Sequence, residues 1–481
     1  MFYKKSEKGQ ALVLIALAAV GLFGFAALSI DGGMVFSDRR HAQNAADTAA
    51  LAAALARVRA ASNPDAAAIA AGEARAITNG YGDPNDPDST VEVNFCNETG
   101  IICEGLPAGA DPADYIRVKI TSIVRLTFAR IIGRQTLTNI LTAVAKAEVG
   151  GLAPLFDGSA LVALAPTGPE TVSGQGNVWL TINNSGVFDN SNSDCAMSEV
   201  GNITYWVETA YNVVGTHCPA SNPNSSYTGP VQQGAEQVEY PPDIDIPTPS
   251  ITCSGNAPAP TQDATPGHFT IHPGNYPSGL TINGGTYKFA GNGKFCFHGN
   301  VNVNGNAKVI ANYADILLTS GSITFNANST FTCSYVLVHI DGGSGMHFNG
   351  NASNVCDGVT FFAETGSVTW NGNVSNTFKA PYESPTHPLG SYPEYQNVLI
   401  YMPYGNTSPL TINGNAGNQL TGSIIAVSSD VTISGNSGTT GLNSSITGYT
   451  ITLAGNSNTT INYVPEDQFQ QVDPSSLGLT K

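Results

Sequence analysis

Few residues in this chain have the types and spacing that chemistry requires. Asp341 and Glu364 stand 23 residues apart, one period of a repeat described below, so neighbouring turns of a coiled chain would bring them together. Two close carboxyls are what glycoside hydrolysis uses, one as acid and one as base or nucleophile. Two solvated turn acids would have the same spacing, and that plainer reading is preferred. His268 and His272 in "HFTIH" share one side of a strand but lack a third ligand. In "DPNDPDST" (83–90) the prolines break the alternating acids of a calcium loop and mark a turn instead. No metal or cofactor is therefore expected. A Pro/Tyr-rich stretch, 377–396, offers Tyr382, His387, Tyr392 and Tyr395 as flat stacking area for a carbohydrate or a protein.

Charge narrows the partners. Residues 1–150 are nearly neutral, with 14 Lys/Arg against 15 Asp/Glu, whereas residues 151–481 hold 5 Lys, no Arg and 21 Asp/Glu. Phosphate backbones need cationic counter-charge, so nucleic acid is excluded as a partner of the second part. Uronate lyases need a cationic base, which also counts against that class of enzyme.

These candidates need elements to hold them, and the first element is a membrane helix. Ala11–Ile30 is an uncharged run of 20 residues, long enough to cross a bilayer core of roughly 30 Å. Lys4, Lys5 and Lys8 precede it, which predicts a cytoplasmic tip and an extracytoplasmic bulk. A cleaved secretory signal would have an unusually long apolar core and only Ala27-Leu28-Ser29 as a cut site. Prepilin-type cleavage after Gly9 would place Leu14 where such signals carry Glu. A retained anchor fits better than either. Beyond Ile30 the Ala-rich sequence continues the helix to about Ala61, a rod of roughly 75 Å softened at Gly32-Gly33. Its small-residue stripe, Ala45, Ala49 and Ala53, could pack on its own domain or on other subunits.

The segment "GQALVLIALAAVGLFGFAALSIDGGMVFSDRRHAQNAADTAALAAALA" resembles the N-terminal Tad domain of TadG-like Flp pilus-assembly proteins. The resemblance is carried by Gly9-Gln10, the apolar helix, Asp31 and Gly33, then Gln43-Asn44-Ala45-Ala46-Asp47. "YIRVKITSIVRLTFARIIGRQTLTNILTAVAKAEV" (115–149) matches the family's strand, "fa.i.G" turn and closing strand. The resemblance implies an envelope-anchored component of a tight-adherence pilus system, with pilus-assembly proteins as partners. The metal-binding adhesion motif that many TadG-like chains carry is missing from this sequence.

The second part repeats one phrase. Asn306, Asn328, Asn351, Asn373, Asn415, Asn436 and Asn456 each follow a glycine or alanine and recur at intervals of 22, 23, 22, 42, 21 and 20. Three and five residues before each Asn stands an apolar residue, with a polar one between. Period-2 alternation inside a repeat of about 22 is the signature of a parallel β-helix. The apolar columns should face the bore, the Thr-rich column solvent, and the stacked Asn side chains should form an amide ladder. A second strand per coil is read at 336–341, 359–364 and 398–403. The interval of 42 marks a coil with an insertion.

Eight cysteines on the extracytoplasmic side permit disulfides. Cys333 and Cys356 occupy the same phase of consecutive coils and should bond. Cys96 and Cys103 flank a short loop and are the next pair. Cys195–Cys218 and Cys253–Cys296 follow by elimination alone.

The expected fold is an α+β anchor domain with a transmembrane helix, followed by an all-β parallel β-helix. The segments are a cytoplasmic tip (1–9), membrane helix (10–30), Tad-like helix and sheet (31–150), first coils (151–216), Pro-rich excursion (217–265), main β-helix (266–464) and a tail or short cap (465–481). The expected function is a non-enzymatic envelope protein of the Flp/Tad type, presenting its β-helix for structural or adhesive contacts with carbohydrate or cell surface. A tethered carbohydrate-active enzyme and a pilin-like minor subunit are the alternatives.

Overall fold

The computed structural model describes residues 8–60, 63–107, 110–148, 152–219, 222–351, 353–371, 375–383, 393–413, 418–435, 439–472 and 476–479. The chain divides into two compact units, residues 1–152 with 472–481, and residues 153–471.

In the first unit, α1 (Lys8–Arg59) is one uninterrupted helix, about 78 Å long at 1.5 Å per residue. The glycines at 32 and 33 do not break it. Its first part is apolar on all sides and exposed, Leu12 to Ile30 included, as a lipid-facing helix must be. Further along, Ala42, Ala45, Ala46, Ala49, Ala50, Ala53 and Ala54 are fully covered. They pack on this unit's own sheet and on α2 (Pro64–Thr78), so the small-residue stripe serves the domain itself. Gly72 of α2 allows the close approach, since a Cβ there would come within 3.2 Å of Ala53 and Val93. The sheet is antiparallel, with β1 (Ser89–Phe95), β2 (Tyr115–Arg125) and β3 (Thr136–Glu148) in that order. Ser476–Leu479 completes it beside β3. Within the tail read as loose or capping, Ser476–Leu479 is thus the fourth strand of this sheet.

The second unit is a stack of parallel coils, each built from three strands rather than the two legible in the sequence. One coil runs Val301–Asn304, Lys308–Asn312 and Ala314–Leu318, and the next begins at Ser322. Three parallel sheets result. The first carries the Thr column, the second lines up strands such as Lys308–Asn312 and Thr330–Ser334, and the third lines up Ala314–Leu318, Val336–Ile340 and Val359–Ala363. The predicted columns do point inward: Val303, Phe325, Phe348, Trp370, Ile412, Ile433 and Leu453 are buried, as are Val301, Ile323, Met346, Val368, Leu410, Val431 and Ile451. Aromatic rings fill the bore, Phe325 over Phe348 at 5.1 Å and Phe378 beside Trp370 at 5.9 Å. The bore is a packed core, not a channel.

The order of the coils differs from chain order. Leu161–Ala163 stacks on Ile446–Gly448, and Val172–Asn183 stacks on both Ile451–Gly455 and Asn458–Asn462. The coils of 161–233 therefore follow the last coil of the main run instead of preceding its first. The chain enters at this seam, winds outward to Val231–Gln233, and must then return to the opposite end to begin the run at His268. His217–Cys218, Ser226–Thr228 and Val231–Gln233 are all paired with the coils, so the excursion starts after Gln233.

That excursion is a strap along the third sheet. Val238 exchanges hydrogen bonds with the buried Asn190 side chain at 2.8 and 2.9 Å. Fifteen residues later, Cys253 is bonded to Cys296. Eight coil steps separate these two points, roughly 38 Å at the usual strand spacing, which 15 residues can bridge only if extended. Pro241, Pro242, Pro247 and Pro249 suit that conformation. Ile246 and Ile251 pack against Leu337, Phe362, Tyr401 and Ile425 on the outside of the third sheet.

Candidate functional site

The anchor is held to its sheet by two carboxylates on one face of α1. Asp31, the first polar residue after the apolar run, is buried and accepts backbone N–H bonds from Thr127 at 2.9 Å, Phe128 at 3.0 Å and Ala129 at 2.6 Å. Burial pushes its carboxyl up, but the three donors favour the ionised form and the net shift is downward. Two turns on, Asp38 accepts the Tyr81 and Ser122 hydroxyls at 3.0 Å each and the Asn139 amide at 2.7 Å. Burial, with Asp38 beside it, raises the Tyr81 hydroxyl far above its ordinary value and keeps it a donor. Arg57 pins the far end of α1 through the carbonyls of Ala113 at 2.9 Å and Ala147 at 2.8 Å. Of the other motif residues, Gln43 bonds Asp47 at 2.8 Å and reaches the Thr142 carbonyl at 3.4 Å. Asn44 and Gly33 are exposed. Asp38 and Arg57 escaped the sequence reading, although Asp38 lies seven residues, two helical turns, from Asp31.

The amide ladders are real but sit largely on different asparagines. Asn328 donates to Asn306 at 3.2 Å, while Asn351 bonds Ala327 through its backbone N–H. Asn373, Asn415 and Asn436 lie outside the described residues. The longest run is two residues earlier in the phrase: Asn304 donates to Asn283 at 3.0 Å, Asn326 to Asn304 at 3.1 Å, Asn349 to Asn326 and Asn371 to Asn349 at 3.4 Å, and Asn413 to Asn371 at 3.1 Å. Another run crosses the seam, Asn177 on Asn456 at 2.8 Å, then Asn202 and Asn222, each at 2.7 Å. A third is buried, Asn354 to Asn376 at 2.8 Å and Asn376 to Asn418 at 3.2 Å. Its signal is the shared third Asn of "NGNASN", "NGNVSN" and "NGNAGN". Gly350, at φ 101°, leaves no room for a Cβ, which would meet the Ala327 carbonyl at 2.4 Å.

Four disulfides tie the chain: Cys96–Cys103 in the first unit, and Cys195–Cys218, Cys253–Cys296 and Cys333–Cys356 in the second. Cys333 and Cys356 are register partners on adjacent coils, with Cα atoms 4.4 Å apart.

The proposed contact loop has a different use where it is described. Tyr395 is buried, and its hydroxyl donates to the Pro247 carbonyl of the strap at 2.7 Å. Tyr382 bonds Asp357 at 3.3 Å and lies under the Lys379 ammonium. His387 and Tyr392 lie outside the described residues. Exposed aromatic area appears instead on the second sheet, where Trp179 is 58% and Trp206 38% exposed. Thr181 pairs in register with Trp206, so the two indoles stand on adjacent coils, offset diagonally by two residues. Asn177, Asn202, Thr204 and Thr228 surround them with hydrogen-bonding groups.

The candidate acids are spread thinly. Asp341 and Glu364 follow the register pair Ile340–Ala363 onto adjacent coils, and Glu364 lies 3.3 Å from buried His339. Asp83 and Asp86 accept their own turn's N–H groups at 2.8 and 3.0 Å. His272 shares a hydrogen bond with Thr261 at 2.8 Å. A buried cluster that the sequence did not reveal joins Glu199 to His217 at 3.3 Å and to the Tyr227 hydroxyl at 2.8 Å, inside the terminal coils.

Compared with known proteins, residues 9–76 match the family model described as Flp pilus-assembly TadE/G-like. Neither a curated protein nor a solved structure matches the chain. The matched segment is α1 together with nearly all of α2, the elements that Asp31, Asp38 and Arg57 fasten to the sheet. The chain thus joins an N-terminal segment similar to TadE/G-like pilus-assembly proteins, with one helix long and apolar enough to cross a membrane, to a second unit that is a parallel β-solenoid.

Proposed function

We propose that this protein is a non-enzymatic component of the cell envelope, acting with the Flp pilus-assembly machinery and using its solenoid as a structural and adhesive body. The tip before Gln10 is cytoplasmic and the solenoid extracytoplasmic, in keeping with Lys4, Lys5 and Lys8 ahead of the apolar helix. The observation that carries the reading is the pairing of a Tad-type anchor with a solenoid that presents Trp179 and Trp206 on an open sheet. Indoles on a flat, amide-bordered surface suit stacking against sugar rings or a partner's apolar side chains. Specific contact is therefore assigned to the second sheet rather than to Tyr395, which is buried against the strap.

Fractionation with intact-mass measurement tests the placement. Full-length chain in the membrane fraction is the expected result. A chain trimmed to Gln10 and sheared off with surface filaments would make it a pilin-like subunit. Adhesion is tested by comparing cells carrying the parent chain with cells carrying Trp179→Ala and Trp206→Ala, with a severalfold loss of surface attachment expected. Hydrolysis of any member of a glycan panel, abolished by Asp341→Ala, would reverse the non-enzymatic assignment.

A further inference from the structure

The turn between β2 and β3 is an exposed, basic and apolar projection beside the membrane helix. Ile131 is 87% exposed and Phe128 38% exposed. Arg130 and Arg134 flank them, also exposed, with no ion pair among the described residues. A single exposed aliphatic residue is ordinary on a protein surface. Here the position is what matters. The Asp31 carboxylate bonds the backbone of Thr127, Phe128 and Ala129 directly, at 2.6 to 3.0 Å. Asp31 is also the residue that ends the apolar run Ala11–Ile30. The turn is thereby fixed level with the point where α1 leaves the hydrocarbon. Leu137 of β3 and Met34 and Phe36 of α1 are exposed in the same unit, and the exposed Arg39 and Arg40 add positive charge to α1 about two turns after Asp31.

We propose that the Phe128–Arg134 turn is a second membrane contact: Phe128 and Ile131 enter the headgroup–acyl boundary while Arg130 and Arg134 bind lipid phosphates. The occupant is the bilayer leaflet that α1 has just crossed. Aromatic and aliphatic side chains beside arginines are the composition that favours this depth. A single helix leaves a domain free to swivel about its axis, and a second contact beside it removes that freedom. Asp31 then has a purpose beyond capping, because it sets the height of the turn. The proposal rests on α1 being the membrane anchor.

The test places a tryptophan at the turn of the full-length chain, Ile131→Trp, in vesicles of phosphatidylcholine mixed with phosphatidylglycerol and containing acyl-brominated lipid. Ile102→Trp is the control, because Ile102 is 75% exposed in the same unit. Its carbonyl accepts from Arg117, near the opposite end of β2, about 30 Å from the turn. The native tryptophans all lie in the solenoid, so the added signal is read against the parent. Blue-shifted emission and at least twofold stronger bromine quenching at position 131 than at 102 are expected. Reversing Arg130→Glu and Arg134→Glu in the Ile131→Trp chain should reduce that quenching by about half. Equal quenching at 131 and 102, in a chain that still floats with the vesicles, overturns the proposal and leaves the anchor intact. A chain that does not float overturns both.

Discussion

Two buried aspartates with opposite surroundings show how single residues set the behaviour of each unit. Asp31 has three backbone donors and a lowered pKa. Its bonds should therefore persist above the ordinary aspartate range and fail as pH falls through the lower folded value. Asp31→Asn should raise hydrogen exchange at Thr127, Phe128 and Ala129 on the order of tenfold at neutral pH, measurable by mass spectrometry. Asp189 is the reverse case. Burial pushes its carboxyl up to about 6, and the Thr171 hydroxyl at 2.7 Å and the Ser191 N–H offset this only in part. Between about pH 4 and 6 the folded chain keeps a proton there that the unfolded chain has lost, so this group's contribution to stability declines as pH rises and is flat above about 6. Asp189→Asn should remove that slope. Relative to the parent, the variant is expected to gain stability between pH 4.5 and pH 7.5, by about 2 kcal/mol.

At the scale of elements, the strap decides which solenoid face is available. Each sheet buries its inner side chains in the bore, but the third also carries Leu337, Phe362, Tyr401 and Ile425 outside, an apolar stripe that water would penalise. Residues 234–256 cover it and are fastened at both ends, by Asn190 and by Cys253–Cys296. Tyr395→Phe removes the hydroxyl bond to Pro247 and should cost ~1 kcal/mol. Cys253→Ser with Cys296→Ser should speed proteolysis within the strap while leaving the coils protected, because loss of the staple releases one end only. Limited digestion followed by peptide mapping distinguishes the two. Within the bore, Trp370→Ala is expected to cost ~3–5 kcal/mol, since its neighbours cannot close a cavity of that size.

At the scale of the whole molecule, the seam sets both architecture and robustness. Chain entry and exit of the solenoid unit meet inside the stack, while its two ends are made by interior sequence, near Val231 and near Thr261. Neither end depends on a free terminus. The arrangement predicts a crosslink that a coil order following the chain would forbid. Ser173 and Thr452 are register partners across the seam, with their hydroxyls 3.3 Å apart. Ser173→Cys with Thr452→Cys should bond on oxidation, because adjacent parallel strands place Cα atoms within disulfide range. In sequential stacking the two would lie most of the stack apart. Peptide mapping of the oxidised chain reads the outcome.

Much of this was legible in the order of residues because the deciding interactions were local or periodic. Twenty apolar residues dictate a membrane helix whatever follows. Alternation inside a 22-residue repeat dictates parallel coils, since each coil can bury its apolar columns only against the next. Cys333 and Cys356 share a phase and so had to meet. What the sequence could not convey was any choice among equivalent partners. Every coil edge presents the same backbone donors and acceptors, so the repeat does not say that residues 161–183 stack on 446–462. Nor is the path of the strap readable, since its prolines and scattered Ile and Tyr have no period. The same holds for Asp31, whose motif position was plain while its partners lay nearly 100 residues away. Period and composition determined the elements. Only tertiary contact between distant segments decided their order, the covered face, and which aromatic residues were left exposed to touch anything else.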